Sequence, residues 1–216
     1  MALTLYYHPL SSFCMKALIA LYENDTAFTP HLVNLMDPAD NAAFKKIWPI
    51  GKFPVLRDDA RGETIPESTI IIEYLDRHYP GRAKLVPDDP DLVRAVRLQD
   101  RFFDLHVHVP MQKVVGDRLR PAGNKDPLGV DQARDLIKTA CGMLDRDLAG
   151  KTWAVGDNFT MADCSAAPAL FYADMTAVPL AGAYDNVARY LARLKARPSY
   201  ARVLTEAEPY FKMVPK

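Results

Sequence analysis

Ile50 to Leu75 reads IGKFPVLRDDARGETIPESTIIIEYL, and its two ends decide the architecture. Proline cannot donate to a ladder, so Lys52-Phe53-Pro54-Val55-Leu56 reads as a strand whose first residues face a site instead of a neighbouring strand. The Phe53-Pro54 bond is a candidate cis peptide. In that form the Phe53 N–H and C=O turn outward, where an extended peptide pairs with them as an added strand. Further on, Pro66-Glu67-Ser68 precedes Ile70, Ile71, Ile72, Tyr74, Leu75, His78 and Tyr79, whose helical spacing marks an amphipathic helix opening at Ser68. A helix N-terminus offers unpaired N–H groups and the positive end of the dipole, which suit a carboxylate, while Glu67 accepts from an ammonium. Together these groups fit an α-amino acid. A serine at that position also serves as a plain N-cap with no ligand.

Upstream, Leu3 to Tyr7 is a β-rich run, His8-Pro9-Leu10 a turn, and Ser11-Ser12 opens a helix carrying Cys14, Ala17, Leu18, Leu21 and Tyr22 on its apolar face. Phe28 to Leu35 reads as a second strand, reached through a crossover helix and hence parallel to the first. Asp37 to Trp48 is polar and weakly helical. Phe53 to Arg57 and Thr64 to Ile65 are then two short strands around an Asp58-Asp59-Ala60-Arg61-Gly62 turn. The order is βαβαββα, that of a thioredoxin-like α/β domain, assigned to residues 1–80.

Tyr79 to Pro90 carries proline, glycine and charge without periodicity, the composition of a linker. From residue 88 to 216 the pattern is all-helical. Leu98, Phe102, Leu105 and Val109 form one expected core stripe, and Ile137, Ala140, Cys141, Leu144 and Leu148 another. Pro110 is expected to kink or end the first of these helices. Pro121 to Pro127 reads as a loop. Thr160-Met161-Ala162-Asp163 is a capping-box variant that starts a helix running to Tyr172.

The chain has 216 residues, 49% apolar and 25% charged, which fits folded globular domains with a substantial core. Lys plus Arg and Asp plus Glu are both 27. Residues 1–80 hold 7 basic and 10 acidic side chains, the rest 20 and 17. No basic stripe or acidic tail exists, so nucleic acid and anionic membrane are not expected partners. The N-terminus lacks the charged and apolar regions of a signal peptide and no run is long enough to span a bilayer, so the expected location is cytoplasmic. Cys14, Cys141 and Cys164 are too few and too scattered for a disulfide framework or zinc site, so reduced thiols and no metal are expected.

G-K-F-P-V-L followed by E-S and an apolar helix resembles the glutathione-binding half of the cytosolic glutathione transferases, in which a cis-proline and a Glu/Gln-Ser pair hold the tripeptide. The Thr160 box resembles the one that opens the buried helix of their second domain, and Pro168 within that helix fits too. The resemblance thus covers both halves, nearest to the serine-type zeta, phi and theta classes with beta as a further relative. It departs at Trp48-Pro49, where an asparagine usually precedes the loop proline. It also departs from the zeta S-S-C-x-x-R motif, with Phe13 in the cysteine's place and Ala17 read against the arginine-bearing region.

The resemblance implies an enzyme that adds the glutathione thiolate to hydrophobic electrophiles, with glutathione as co-substrate, no cofactor, and a two-fold homodimer formed through the helical half. It implies that Phe53 and Pro54 pair with the cysteinyl backbone, that Lys52 reaches the glycine carboxylate, and that Glu67 and Ser68 hold the γ-glutamyl end. Ser11 or Ser12 supplies the hydroxyl that favours thiolate over thiol at a helix start. The C-x-x-C of related redox proteins falls on Ser11 and Cys14, which favours Ser11 as the sulfur donor and leaves Cys14 as a packed thiol. Tyr6, used by beta-class members, reads as a strand residue. Leu10, Phe102 and His106 are expected at the electrophile pocket, with His108 and Met111 nearby. The rivals are a thiol transferase or peroxidase using Cys14, and a non-catalytic binding protein of the same fold.

Overall fold

The computed structural model describes residues 2–215. Strands β1 (Leu3–Tyr7), β2 (Thr29–Leu32), β3 (Val55–Asp58) and β4 (Glu63–Pro66) form one sheet in the order β2-β1-β3-β4. Helices α1 (Ser12–Glu23), α2 (Pro38–Ile47) and α3 (Ser68–His78) complete the expected βαβαββα unit. β1 pairs parallel to β2 and antiparallel to β3, and β3 pairs antiparallel to β4. Leu3 and Leu5 point inward from β1, as period-2 alternation requires. β2 is shorter than the Phe28–Leu35 run and exposed along its length, an edge position where Pro30 removes no ladder bond. At the hairpin between β3 and β4, Asp58 Oδ1 accepts from the Ala60 and Arg61 N–H groups and Oδ2 accepts from Tyr74 and Tyr79.

Residues 79–89 hold no helix or strand. Helices α4 (Pro90–Phe102), α5 (Val109–Arg118), α6 (Pro127–Asp147), α7 (Met161–Thr176), α8 (Asp185–Ala196) and α9 (Pro198–Ala207) follow. Between α4 and α5 the chain makes a π-helical turn, Phe103–His108. The expected break at Pro110 takes this form: the widened turn stands just before a ring that has no N–H and would crowd the preceding carbonyls.

The predicted α4–α5 core stripe is corrected by the structure. Leu98, Leu105 and Val109 are 65%, 42% and 47% exposed, and the buried face consists of Val96, Phe103, Val107, Met111 and Val114. Both faces are apolar, so the sequence pattern alone could not rank them. The α6 stripe from Ile137 to Leu148 is buried as expected. Helix α7 is buried almost throughout, packs against α1, and starts at the expected capping box. Its Asp163 also reaches the Ala154 N–H and the Tyr190 hydroxyl, so one carboxylate fixes a helix start, a loop and α8.

Lys16 of α1 is buried, and its ammonium contacts Asp100 of α4 at 2.6 Å, Asp104 of the π turn at 2.9 Å and the Thr69 hydroxyl of α3 at 2.8 Å. Thr69 in turn donates to Asp100, as does Ser165 of α7. This cluster ties the sheet half to the helical half. Lys16→Met keeps the aliphatic stem but strands Asp100 in the core, so it is expected to cost about 3–5 kcal/mol. The check is the urea midpoint at constant m-value; an unchanged midpoint would show that the cluster does not hold the halves together.

Candidate functional site

Strand register places the site. Val55 lies opposite both Tyr6 and Pro66, and Tyr7 lies opposite Leu32. One edge of the sheet therefore gathers the exit of β1 toward His8–Ser12, the exit of β2 toward Val33–Met36, the Phe53-Pro54 entry to β3 and the Glu67-Ser68 exit of β4. The carboxyl ends of the two parallel strands, a preferred place for ligand crevices, lie on that edge.

The Phe53-Pro54 bond is cis, and β3 begins at Val55 instead of Phe53. Pro54 has no donor, which leaves Phe53 outside the ladder with its backbone free for a partner strand. Glu67 has a φ of +69°, a left-handed conformation that costs a non-glycine residue energy and that collects at functional sites. It turns the chain so that Ser68 becomes the first residue of α3. Among the described residues neither the Glu67 carboxylate nor the Ser68 hydroxyl has a hydrogen-bond partner. Lys52 is exposed.

A cavity of about 480 Å³ opens next to Phe53. Its floor is His8, Leu10, Ser11 and Ser12, one wall is Met111 and Val115 of α5, and Met213 to Pro215 close the far side. Among the described residues no Lys, Arg, Asp or Glu lines it. Leu10 sits there as expected. Lys52, Glu67 and Ser68 lie beyond its rim, on the same sheet edge. Phe102 and His106 are not in its wall, a correction to the expected pocket: they pack edge to face at 5.2 Å, His106 exposed and Phe102 half-buried against the main core. The wall comes instead from α5 one turn later and from the C-terminal segment, which Arg118 holds by donating to the Pro215 and Thr176 carbonyls.

The two serines differ. Ser11 is the N-cap of α1, its Oγ accepting from the Cys14 N–H at 3.3 Å, which leaves its own hydrogen unspent beside the cavity. Ser12 is buried and its hydroxyl contacts His108 Nε2. His108 stacks on Phe13 with ring centroids 3.9 Å apart, and burial with the nearby Lys16 charge pushes it down to about 3. It is therefore a neutral core imidazole. Cys14 is fully buried and burial pushes its thiol up to about 12, opposite to a reactive thiolate.

Residues 5–83 match the family description glutathione S-transferase, N-terminal domain, and residues 127–193 match glutathione S-transferase, C-terminal domain. The chain belongs to the glutathione S-transferase family. A glutathione S-transferase-like protein of a Fusarium species is 32% identical over 67% of this chain and 64% of its own length. The maleylacetoacetate isomerase of Pseudomonas aeruginosa is 27% identical over 97% of this chain and 98% of its own. A glutathione S-transferase of Methylobacillus flagellatus with glutathione bound superimposes with a TM-score of 0.85 at 28% identity, covering 93% of this chain and 98% of that one.

Counted from Ser11-Ser12, the arginine of the zeta motif falls on Lys16, and the expectation of Ala17 was one residue off. A cation is thus retained there, and it is buried as a transferase-fold strut. Sequence reasoning missed Lys16 and set His108 near the pocket instead of in the core. The one signal for them was polar residues inside otherwise apolar helical runs.

Because His108 titrates near 3 when folded and near 6.5 when free, the unfolded chain binds a proton that the folded chain refuses. Its contribution is whole above pH 6.5 and is lost as pH falls toward 3. Wild-type stability is expected to fall by about 1.4 kcal/mol per pH unit more steeply than that of His108→Gln across this window. Urea titrations at pH 7 to 5 measure it, and parallel slopes would refute the buried neutral state.

Proposed function

We propose that the protein binds glutathione along the sheet edge and adds its thiolate to small apolar electrophiles held in the cavity. Phe53 pairs with the cysteinyl backbone as an added strand, Ser68 and the first turn of α3 take the γ-glutamyl carboxylate, Glu67 takes its ammonium, and Lys52 takes the glycine carboxylate. The sulfur then lies over the start of α1. Ser11 donates its hydroxyl hydrogen to the sulfur, and the helix dipole adds to the preference for the anion. Holding thiolate and electrophile in contact supplies much of the acceleration. The reading needs no cofactor beyond the co-substrate.

The observation that carries it is the division of labour between the two serines: Ser12 is engaged with the buried His108, while Ser11 keeps its hydroxyl hydrogen unspent beside the cavity. A second reading, isomerisation of an unsaturated dicarboxylate, is favoured by the full-length similarity to the Pseudomonas isomerase. The absence of any lysine or arginine from the described cavity wall argues for an uncharged electrophile instead. A Cys14 thiol transferase is opposed by the burial and raised pKa of that thiol.

Ser11→Ala is expected to raise the apparent pKa of the bound thiol by at least one unit, about 1.4 kcal/mol, with little change in glutathione affinity. The rate near neutrality falls and the pH-rate profile moves to the alkaline side. Ser68→Ala should do the reverse, weakening glutathione binding by about 1–3 kcal/mol and leaving that pKa alone. Thiolate absorbance and calorimetry read the two effects. A pKa unmoved by Ser11→Ala removes the serine mechanism, and a dissociation constant unmoved by Ser68→Ala places the tripeptide elsewhere.

The exposed apolar face of Leu98, Leu105 and Val109, with Ile70 of α3, supports a two-fold homodimer through the helical half. Light scattering is expected to give twice the 24.2 kDa chain mass, and Leu98→Glu with Leu105→Glu to give the single-chain mass. A monomeric wild-type chain would refute the dimer.

A further inference from the structure

The other large cavity, about 540 Å³ between the linker and the loop before α7, carries no free cation for a ligand among the residues described: Arg197 pairs with Glu23, Lys84 with Asp88, and Arg82 with Asp25 and the Glu23 carbonyl. The substrate cavity is different. Two of its polar groups are already engaged: the Tyr172 hydroxyl donates to the Leu10 carbonyl at 2.8 Å and Ser12 is held by His108. His8 keeps one ring nitrogen unengaged. Its Nδ1 accepts from the Leu10 N–H at 3.2 Å, so Nδ1 is unprotonated and the ring hydrogen sits on Nε2. Nε2 has no partner among the described residues. The ring is oriented by Phe53, nearly parallel at 6.2 Å, and by Tyr210, edge-on at 5.4 Å. Burial also holds the imidazole below its usual range, which keeps this tautomer populated at neutral pH.

We infer that His8 is a second catalytic donor of the proposed transferase, its Nε2–H hydrogen-bonding the electrophile oxygen that gains negative charge as the thiolate adds. The inference rests on the transferase reading and adds a donor to it, one that acts on electrophiles whose accepted electron pair ends on oxygen, such as enones and halonitroarenes. With a nitroarene, the S–C bond forms, a ring π pair moves onto the nitro oxygens, and the pair then returns as the halide leaves. With an enone, the alkene pair moves onto the carbonyl oxygen, and water protonates the carbon afterwards. In both, the His8 proton stays on nitrogen. A neutral donor in an apolar, partly enclosed site stabilises such an oxyanion strongly, because little solvent competes for it.

The test uses 1-chloro-2,4-dinitrobenzene, whose charge passes to oxygen, and benzyl chloride, whose charge leaves directly on chloride. His8→Asn retains an acceptor for the Leu10 N–H as an Asx turn but has no donor at the Nε2 position. His8→Gln carries an amide N–H toward that position. The ratio of kcat/KM for the nitroarene to that for benzyl chloride is expected to fall about ten-fold or more in His8→Asn and to recover largely in His8→Gln. A purely structural role would slow both electrophiles alike and leave the ratio fixed. An unchanged ratio in His8→Asn, in a wild type that conjugates both, overturns the role of His8 alone. A wild type inert toward both overturns the transferase reading, and the His8 role with it.

Discussion

One buried ammonium fixes how the two halves of this molecule meet. Lys16 stands in the core with two carboxylates, Asp100 and Asp104, and the Thr69 hydroxyl around it. Removing the ammonium alone would leave both carboxylates unpaired in a low-dielectric interior, and the cost of that exceeds what the intact cluster contributes. The cluster is therefore better understood as a register device than as a source of stability. It admits one rotation of α1 about its axis and one height of α3 against α4. Ser12 lies four residues before Lys16, on the same face of α1, and points into the same interior toward His108. Ser11, about 100° around the helix, is thereby turned outward.

A second constraint comes from the sheet. A proline at the start of β3 cannot be laddered, and its cis bond puts Phe53 where no neighbouring strand reaches it. Because β3 runs antiparallel to both β1 and β4, its beginning meets their ends. The left-handed turn at Glu67 then starts α3 at once, with Ser68 in its first turn. Three loops separated by dozens of residues in sequence become one edge through pairing register alone. Glu67 is held in a conformation its side chain disfavours, and the tightness of this junction maintains it.

What the sequence made legible was local. The serine opening an apolar helix and the Thr160–Asp163 box each spell out their structure within a few residues and stand in the fold where expected, and the Phe53-Pro54 bond is cis as read, although the strand starts after the proline, at Val55. What stayed hidden was distant or two-faced. Ser12 and His108 are 96 positions apart, and nothing near either one announces the other. The α4–α5 segment is apolar on two faces, so choosing Leu98 and Leu105 over Val96 and Phe103 as core required knowing what packed against it. His106 went with that wrong face outward, while Phe102 packs half-buried against the core. The cavity's far wall, Met213 to Pro215, has no periodicity and is placed by distant partners: Arg118 donates to the Pro215 carbonyl and Val214 packs against the main core.

The adjacent serines show how the scaffold turns a repeated residue into two functions. Either hydroxyl on an isolated helix would serve as a cap, and either could donate to a thiolate. Engaging Ser12 with a neutral, stacked imidazole removes it from that competition and at the same time pins the first turn of α1. Had His108 been charged, an imidazolium would stand near the Lys16 ammonium, and the two like charges would share one desolvated pocket. Burial resolves this by keeping His108 neutral, so a single positive charge faces Asp100 and Asp104. The site side of α1 is then left with the Ser11 hydroxyl, the unpaired first-turn N–H groups and the helix dipole, all of which favour an anion and none of which carries a full charge. A thiolate there meets donors without a counter-ion. It is held at the start of α1 without the full ion pair that would lower its reactivity toward carbon.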